Sequence, residues 1–115
     1  MKFPKTIREH WNNVGVLRCV VTGSPNPTLH HVHGGSVAEA GYHTGVAKRG
    51  VSDALVIPLK SDFHVGADGV DTIGVETWER YYGSQMSFIQ EVSYLVGYDL
   101  IKLHKRWERE PPPRG

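Results

Sequence analysis

Leu29-His30-His31-Val32-His33-Gly34-Gly35 gathers three of the chain's seven histidines into four positions. A polar, proline-rich turn, Ser24-Pro25-Asn26-Pro27, precedes it and a glycine pair closes it. Each imidazole has two ring nitrogens that need partners once buried, so a cluster this dense is costly without a purpose. Thr28 to His33 reads as a short strand, in which the adjacent His30 and His31 point to opposite faces. A neutral imidazole has a lone pair suited to holding a cation or to taking a proton from water, so one His pair can serve both needs of metal-assisted hydrolysis. An exposed His-rich turn that binds nothing fits the same residues. His64, in Ile57-Pro58-Leu59-Lys60-Ser61-Asp62-Phe63-His64, tips the balance towards a metal site in two halves.

Outward from this stretch the chain reads as short elements. Thr6 to Asn13 is a helix, with Thr6 as N-cap, Glu9 three residues on as its capping-box partner, and Gly15 as the stop. Val16 to Val21 is rich in β-formers and reads as a strand that pairs with Thr28–His33 through the Thr22–Pro27 loop. Gly34 to Val51 holds five glycines (34, 35, 41, 45 and 50) and reads as a long functional loop with a helical piece at Ser36–Ala40. Ala54 to Leu59 is an apolar run, either a buried strand or the approach to a helix, and Pro58 argues against a central hydrogen-bonded strand. Lys60 to Phe63 opens a helix carrying His64, which Gly66 and Gly69 cut short. Glu76–Gly83 reads as a helix capped by Thr77. A second opens at Ser84 or Gln85, with Met86, Ile89, Val92 and Val96 in helical rhythm, and a third spans Tyr98–Arg109. Trp78, Tyr81, Ile89 and Val92 are expected to hold helices to the core. His10 and His104 read as solvated helix-face residues.

The length of 115 residues supports one domain. Residues 1–110 are expected to form it, with 111–115 a flexible Pro-rich tail. Cys19 is the only cysteine, which excludes an internal disulfide and makes a purely structural zinc domain a poor fit. No apolar run approaches the ~20 residues that span a bilayer, and the basic N-terminus lacks a following apolar stretch, so no membrane partner and a cytoplasmic location are expected. The net charge is only +1, yet Lys102–Gly115 carries five basic and two acidic residues, while Asp62–Glu79 carries five acidic ones and no Lys or Arg. That asymmetry suits an enzyme acting on a polyanion, and equally a scattered surface charge.

The ordered combination of Cys19-x-x-Thr22-Gly23, His30-His31, Ser52-Asp53-x-x-x-Ile57-Pro58-Leu59-x-x-x-x-His64 and Trp78-Glu79-x-x-Tyr82-Gly83 resembles the HNH (His-Me finger) endonucleases. Within them it is most similar to the phage and prophage recombination-enhancement, RecA-dependent nucleases, over roughly residues 16 to 97. The resemblance implies an α+β fold with a small ββα-metal core, a short β-hairpin, surrounding helices and a C-terminal helix. It implies a metal-dependent DNA endonuclease or nickase linked to recombination, acting in a bacterial host cell. His30 and His64 match ligands of one divalent ion (Mg²⁺, Mn²⁺ or Zn²⁺), and His31 matches the general base on the attacking water. Asp53 matches an acidic position that either orients a histidine or shapes the loop. The expected partner is DNA, double- or single-stranded, with a recombinase filament as a further one.

His33 and His43 are additional candidates for ligand or support. Lys48, Arg49 and Lys60 flank the site and suit contacts to backbone phosphates. Asp68 and Asp71 offer oxygen ligands near His64, although such glycine-flanked aspartates more often mark plain turns. Many relatives carry cysteines at the positions of Thr22 and Lys60 to form a zinc knuckle. Here only Cys19 remains, either beside a lost knuckle replaced by apolar packing or as a small core hydrophobe. A catalytically degenerate module that keeps the fold and binds DNA or protein is the alternative reading.

Overall fold

The computed structural model describes residues 2–42 and 52–115. Among these the chain is a small α+β protein of seven helices and a two-stranded antiparallel sheet. The helices are α1 (Ile7–Gly15), α2 (Gly35–Glu39), α3 (Ser61–His64), α4 (Val70–Ile73), α5 (Val75–Tyr82), α6 (Gln85–Val96) and α7 (Leu100–Arg109). The strands are β1 (Thr28–His31) and β2 (Val56–Leu59), and a 3-10 turn at Ser52–Ala54 leads into β2. His43, Lys48 and Arg49 lie outside the described residues. No helix among the described residues is long and apolar enough to cross a membrane.

The predicted strand at Val16–Val21 does not form, and β1 pairs with β2 instead, in the register Thr28↔Leu59, Leu29↔Pro58, His30↔Ile57, His31↔Val56. The physical reason is burial. Val56, Ile57 and Leu59 are fully buried, whereas Val16 is 82% exposed. β-propensity reports fit to a packed, pleated surface, and only the later segment has one. Val16–Val21 instead enters a turn around Cys19, closed by Cys19 N–H to Ser24 O at 2.9 Å and Gly23 N–H to Cys19 O at 2.8 Å.

Pro58 sits inside β2 without breaking it. Its carbonyl accepts from Val20 N at 3.1 Å, so its backbone polar groups face away from β1. In an antiparallel pair a residue's N and O point the same way, so the missing N–H falls on the side that has no ladder. The pairing continues past β1 through Val32 N–H to Leu55 O at 3.0 Å.

The helix caps are mostly those expected. Thr6 accepts from Glu9 N at 3.0 Å, but the Glu9 carboxylate takes Lys5 N at 2.8 Å, so the predicted box is shifted by one residue. Two further free amides of α1, Ile7 N and Arg8 N, donate to Pro113 O and Arg114 O at 3.1 and 2.9 Å. The C-terminal segment thus supplies carbonyls to amides that the helix itself leaves unpaired. Ser84 caps α6 and Gly97 ends it in the left-handed conformation at φ 85°. Asp99 caps α7 through the amides of Ile101 and Lys102. Thr77 is not a cap: α5 begins at Val75 after Gly74.

The core gathers Leu55, Ile57, Leu59, Trp78, Ile89, Val92, Leu100 and Leu103, all fully buried. Tyr81 is not part of it, at 72% exposed. His10 and His104, expected in solvent, are buried between helices. His10 is fully satisfied there, with Nδ1 2.7 Å from the Tyr98 hydroxyl and Nε2 2.9 Å from Ala54 O. His104 packs its ring against Tyr42, with Nε2 3.8 Å from a Glu108 carboxylate oxygen.

Candidate metal centre

β1 divides its adjacent histidines as strand geometry requires. His30 turns inward and is 2% exposed, while the His31 side chain remains 44% exposed. β2 carries the chain directly into α3, whose last residue is His64. Gly69 then turns it into α4; a Cβ there would lie 2.5 Å from His64 O, so the turn is too tight for any other residue. Asp71, in the first turn of α4, is thereby set against His64, with Oδ2 3.4 Å from Nε2. The ligand atoms of His30, His64 and Asp71 all lie within 4.8 Å of one another. The His30 and His64 ring centroids are 5.1 Å apart.

Hydrogen bonds decide where the lone pairs point. The Gln85 amide nitrogen donates to His33 O at 2.7 Å, which aims its Oε1 at His30 Nε2, 2.8 Å away. A carbonyl oxygen can only accept, so His30 Nε2 carries the proton and Nδ1 the lone pair. Thr28 donates its hydroxyl to Leu59 O at 2.9 Å and so accepts from His64 Nδ1 at 2.9 Å. That leaves the His64 Nε2 lone pair facing the Asp71 carboxylate. Two acceptors held face to face are satisfied by a bound cation or by a proton. Burial lowers the pKa of His64, opposed by Asp71 and reinforced by His31. Burial likewise lowers that of His30, to about 4, against the Gln85 hydrogen bond. Both imidazoles are therefore neutral at neutral pH, the form that ligates metals. The donor set of two imidazoles and a carboxylate, each histidine braced through its other nitrogen, fits a divalent ion.

His31 has a separate arrangement. Its Nε2 lies 2.8 Å from Asp53 Oδ1, and a carboxylate acceptor places the ring proton there, leaving the lone pair on Nδ1. Asp53 thus orients a histidine, one of the two roles left open by the sequence. Its own position is fixed from α1. Trp11 Nε1 donates to Asp53 O at 3.1 Å, and His10 Nε2 donates to the next carbonyl, Ala54 O. The Trp11 ring also meets His31 edge to face at 5.5 Å.

The other predicted residues separate. His33 stands at the rim, half exposed, with Nε2 3.9 Å from the second Asp71 oxygen and its ring 5.6 Å from that of His30. Lys60 precedes α3 and pairs with Asp62 at 3.6 Å on the surface. Asp68 is exposed and outside the ligand group. Cys19 is 3% exposed within the core cluster. Burial pushes its thiol pKa up, but hydrogen bonds from the Thr22 hydroxyl and the amides of Lys60, Thr22 and Val21 bring it below the ordinary value. Its sulfur therefore organises the turn as well as filling core volume.

Gln85, Thr28 and Glu79 were not singled out from the sequence as site residues. Gln85 carried a usable signal, since it continues the Ile89–Val92 stripe back by one turn and is fully buried with it. Glu79 accepts from Ser36 N and Gln85 N at 2.9 and 2.6 Å, and from the Ser36 hydroxyl. It joins the first turns of α2 and α6, whose amide ends favour a negative charge. The glycine pair after the histidines makes room for this clamp. A Cβ on Gly35, at φ 45°, would lie 2.1 Å from Glu79 Oε1.

No family model matches the chain, and neither the curated proteins nor the solved structures contain a significant match to it.

Proposed function

We propose that this chain is a metal-dependent DNA endonuclease or nickase, with β1, β2 and α3 as a ββα-metal core. The observation that carries the reading is the division of labour in β1. His30 joins His64 and Asp71 in a group of ligand geometry, while the neighbouring His31 is outside that group and hydrogen-bonded to Asp53 through Nε2, which leaves its lone pair on Nδ1. A histidine kept apart from the ligands and oriented by a carboxylate is suited to general-base work on water.

His30, His64 and Asp71 would hold the ion, with Gln85 and Thr28 fixing the ring orientations. A divalent ion bound there supplies a Lewis acid that stabilises charge on the scissile phosphate and on the departing 3′ oxygen. His31 takes the proton of the attacking water at Nδ1, and Asp53 stabilises the resulting imidazolium. His33, at the rim, and Lys60, beside the entrance to α3, would contact the phosphates next to the cleaved bond. Two nitrogen donors favour Mn²⁺ or Zn²⁺ over Mg²⁺, which prefers oxygen ligands. The support for a phage-derived role in recombination is the family resemblance of the motifs.

The test is nicking of supercoiled plasmid with Mg²⁺, Mn²⁺ or Zn²⁺, and with EDTA. Cleavage is expected with Mn²⁺ or Zn²⁺ and absent in EDTA. His31→Ala is expected to lose roughly 10²-fold or more in rate while retaining DNA binding and metal content. A His31→Ala protein that cuts as fast as wild type would falsify the base assignment. A metal-free wild-type protein that binds DNA without cutting it would favour the degenerate binding module.

A further inference from the structure

Helix α7 buries Leu100, Leu103, His104 and Trp107 against the core. Its opposite side exposes Lys102, Lys105, Arg106 and Arg109. These four follow the i, i+3, i+4, i+7 spacing and so form one stripe, about 10 Å long at 1.5 Å per residue. The half-buried Phe3 floors a groove walled by all four cations. The neighbouring groove is lined by Phe3 and Arg106 together with Lys2 and Lys5 from the N-terminal segment, which extends the positive surface to six side chains. Of the acids beside the stripe, Glu110 is 3.5 Å from Arg106 and Glu108 is 3.8 Å from His104. No carboxylate lies within ion-pair distance of Lys102, Lys105 or Arg109 among the described residues.

We propose that this face binds the phosphodiester backbone of duplex DNA, without reading sequence, and so anchors the substrate of the proposed nuclease. The inference takes from that reading only that the substrate is DNA. The charge pattern selects the occupant. A row of cations about 10 Å long runs past about three base-pair steps of duplex axis at 3.4 Å rise, and long flexible side chains reach the phosphates alongside. An anionic membrane also attracts such a row, but a membrane-lying helix exposes its apolar side to the bilayer. Here Leu100, Leu103 and Trp107 are buried in the protein core, so α7 offers lipid no apolar face. The grooves are lined by cations, the Phe3 and Trp107 rings and prolines, with no Asn or Gln to pair with an adenine edge, which points to backbone contact.

Fluorescence anisotropy of a labelled duplex of mixed sequence, measured in EDTA between 50 and 200 mM NaCl, separates binding from cleavage. Wild type is expected to bind, with log affinity falling linearly as log salt rises. The triple variant Lys102→Gln, Lys105→Gln, Arg109→Gln is expected to bind about tenfold or more weakly, with the slope of log affinity against log salt reduced by about 2.7. Arg80→Gln, which removes one cation from α5, is expected to leave affinity within about twofold and the slope within about one. Far-ultraviolet circular dichroism and melting of the triple variant check the fold, and Lys102→Gln alone, expected to lower the slope by about one, serves if the triple variant is unfolded. The proposal fails if the wild type does not bind the duplex. It also fails if the stripe variants keep the wild-type slope, or if vesicles of anionic lipid are bound through these residues in preference to DNA. A wild-type protein that binds through the stripe yet never cuts would sink the nuclease reading and leave this one standing.

Discussion

Acid should destabilise this fold through one residue remote from the proposed ligands. His10 is fully buried, donates Nε2–H to Ala54 O and accepts from the Tyr98 hydroxyl at Nδ1. Burial holds its pKa at about 4, below the ordinary 6.5, against the opposing pull of the Ala54 carbonyl and Asp53. Between those two values the unfolded chain binds more protons than the folded one. The stabilisation is therefore complete above pH 6.5, falls as the pH drops towards 4, and changes no further below. Each pKa unit is worth about 1.4 kcal/mol, so the whole window is worth about 3 kcal/mol, of which about 2 is lost between pH 7 and pH 4.5. Against a typical total of about 5–15 kcal/mol this is a large effect. Urea denaturation in EDTA across pH 4.5–8, comparing wild type with His10→Gln, reads it directly. The variant is expected to be less stable at pH 7 and to show a flatter pH profile, by about 2 kcal/mol over the range. His30, also held at about 4, contributes to both proteins and cancels in the comparison. Equal pH dependence in the two proteins would show that His10 is not the titrating group and that its burial is relieved by water or by motion. The result bears on the site as well, because His10 and Trp11 pin the turn that carries Asp53.

Three further perturbations test the supports of the centre. Gln85→Ala removes the acceptor that fixes the His30 ring, and is expected to weaken Mn²⁺ or Zn²⁺ binding about 10- to 100-fold in equilibrium titrations; an unchanged affinity would exclude His30 as a ligand braced by Gln85. Gly35→Ala forces a methyl group into the Glu79 carboxylate at a positive φ, and should cost roughly 2 kcal/mol or more in a melting experiment. Glu79→Gln, which keeps the size but drops the charge at two helix starts, is expected to cost about 1 kcal/mol, and a null result in both would remove the clamp from the account of the site.

The sequence by itself determined the local units. Thr6, Ser84, Gly83 and Gly97 mark helix ends because capping and left-handed turns are decided within a few residues. The histidine pair was legible as two side chains on opposite faces, because alternation along a strand is a local rule, and His30 and His31 obey it. Pairing was not local. Val16–Val21 and Val56–Leu59 both look like strands, and only the core decides which one is buried beside β1. The same holds for His10 and His104, whose partners Tyr98, Ala54, Tyr42 and Glu108 come mostly from distant segments. Asp71 read from the sequence as either an oxygen ligand or a plain turn residue, and the tight bend at Gly69 sets it against His64. Gln85 and Thr28 became site residues only when the fold brought a helix start and a strand start against two imidazoles. A ligand set depends on distances of a few ångströms between segments far apart in the chain, and tertiary packing alone sets those distances. The histidines that make such a site plausible are a property of composition and could be read at once.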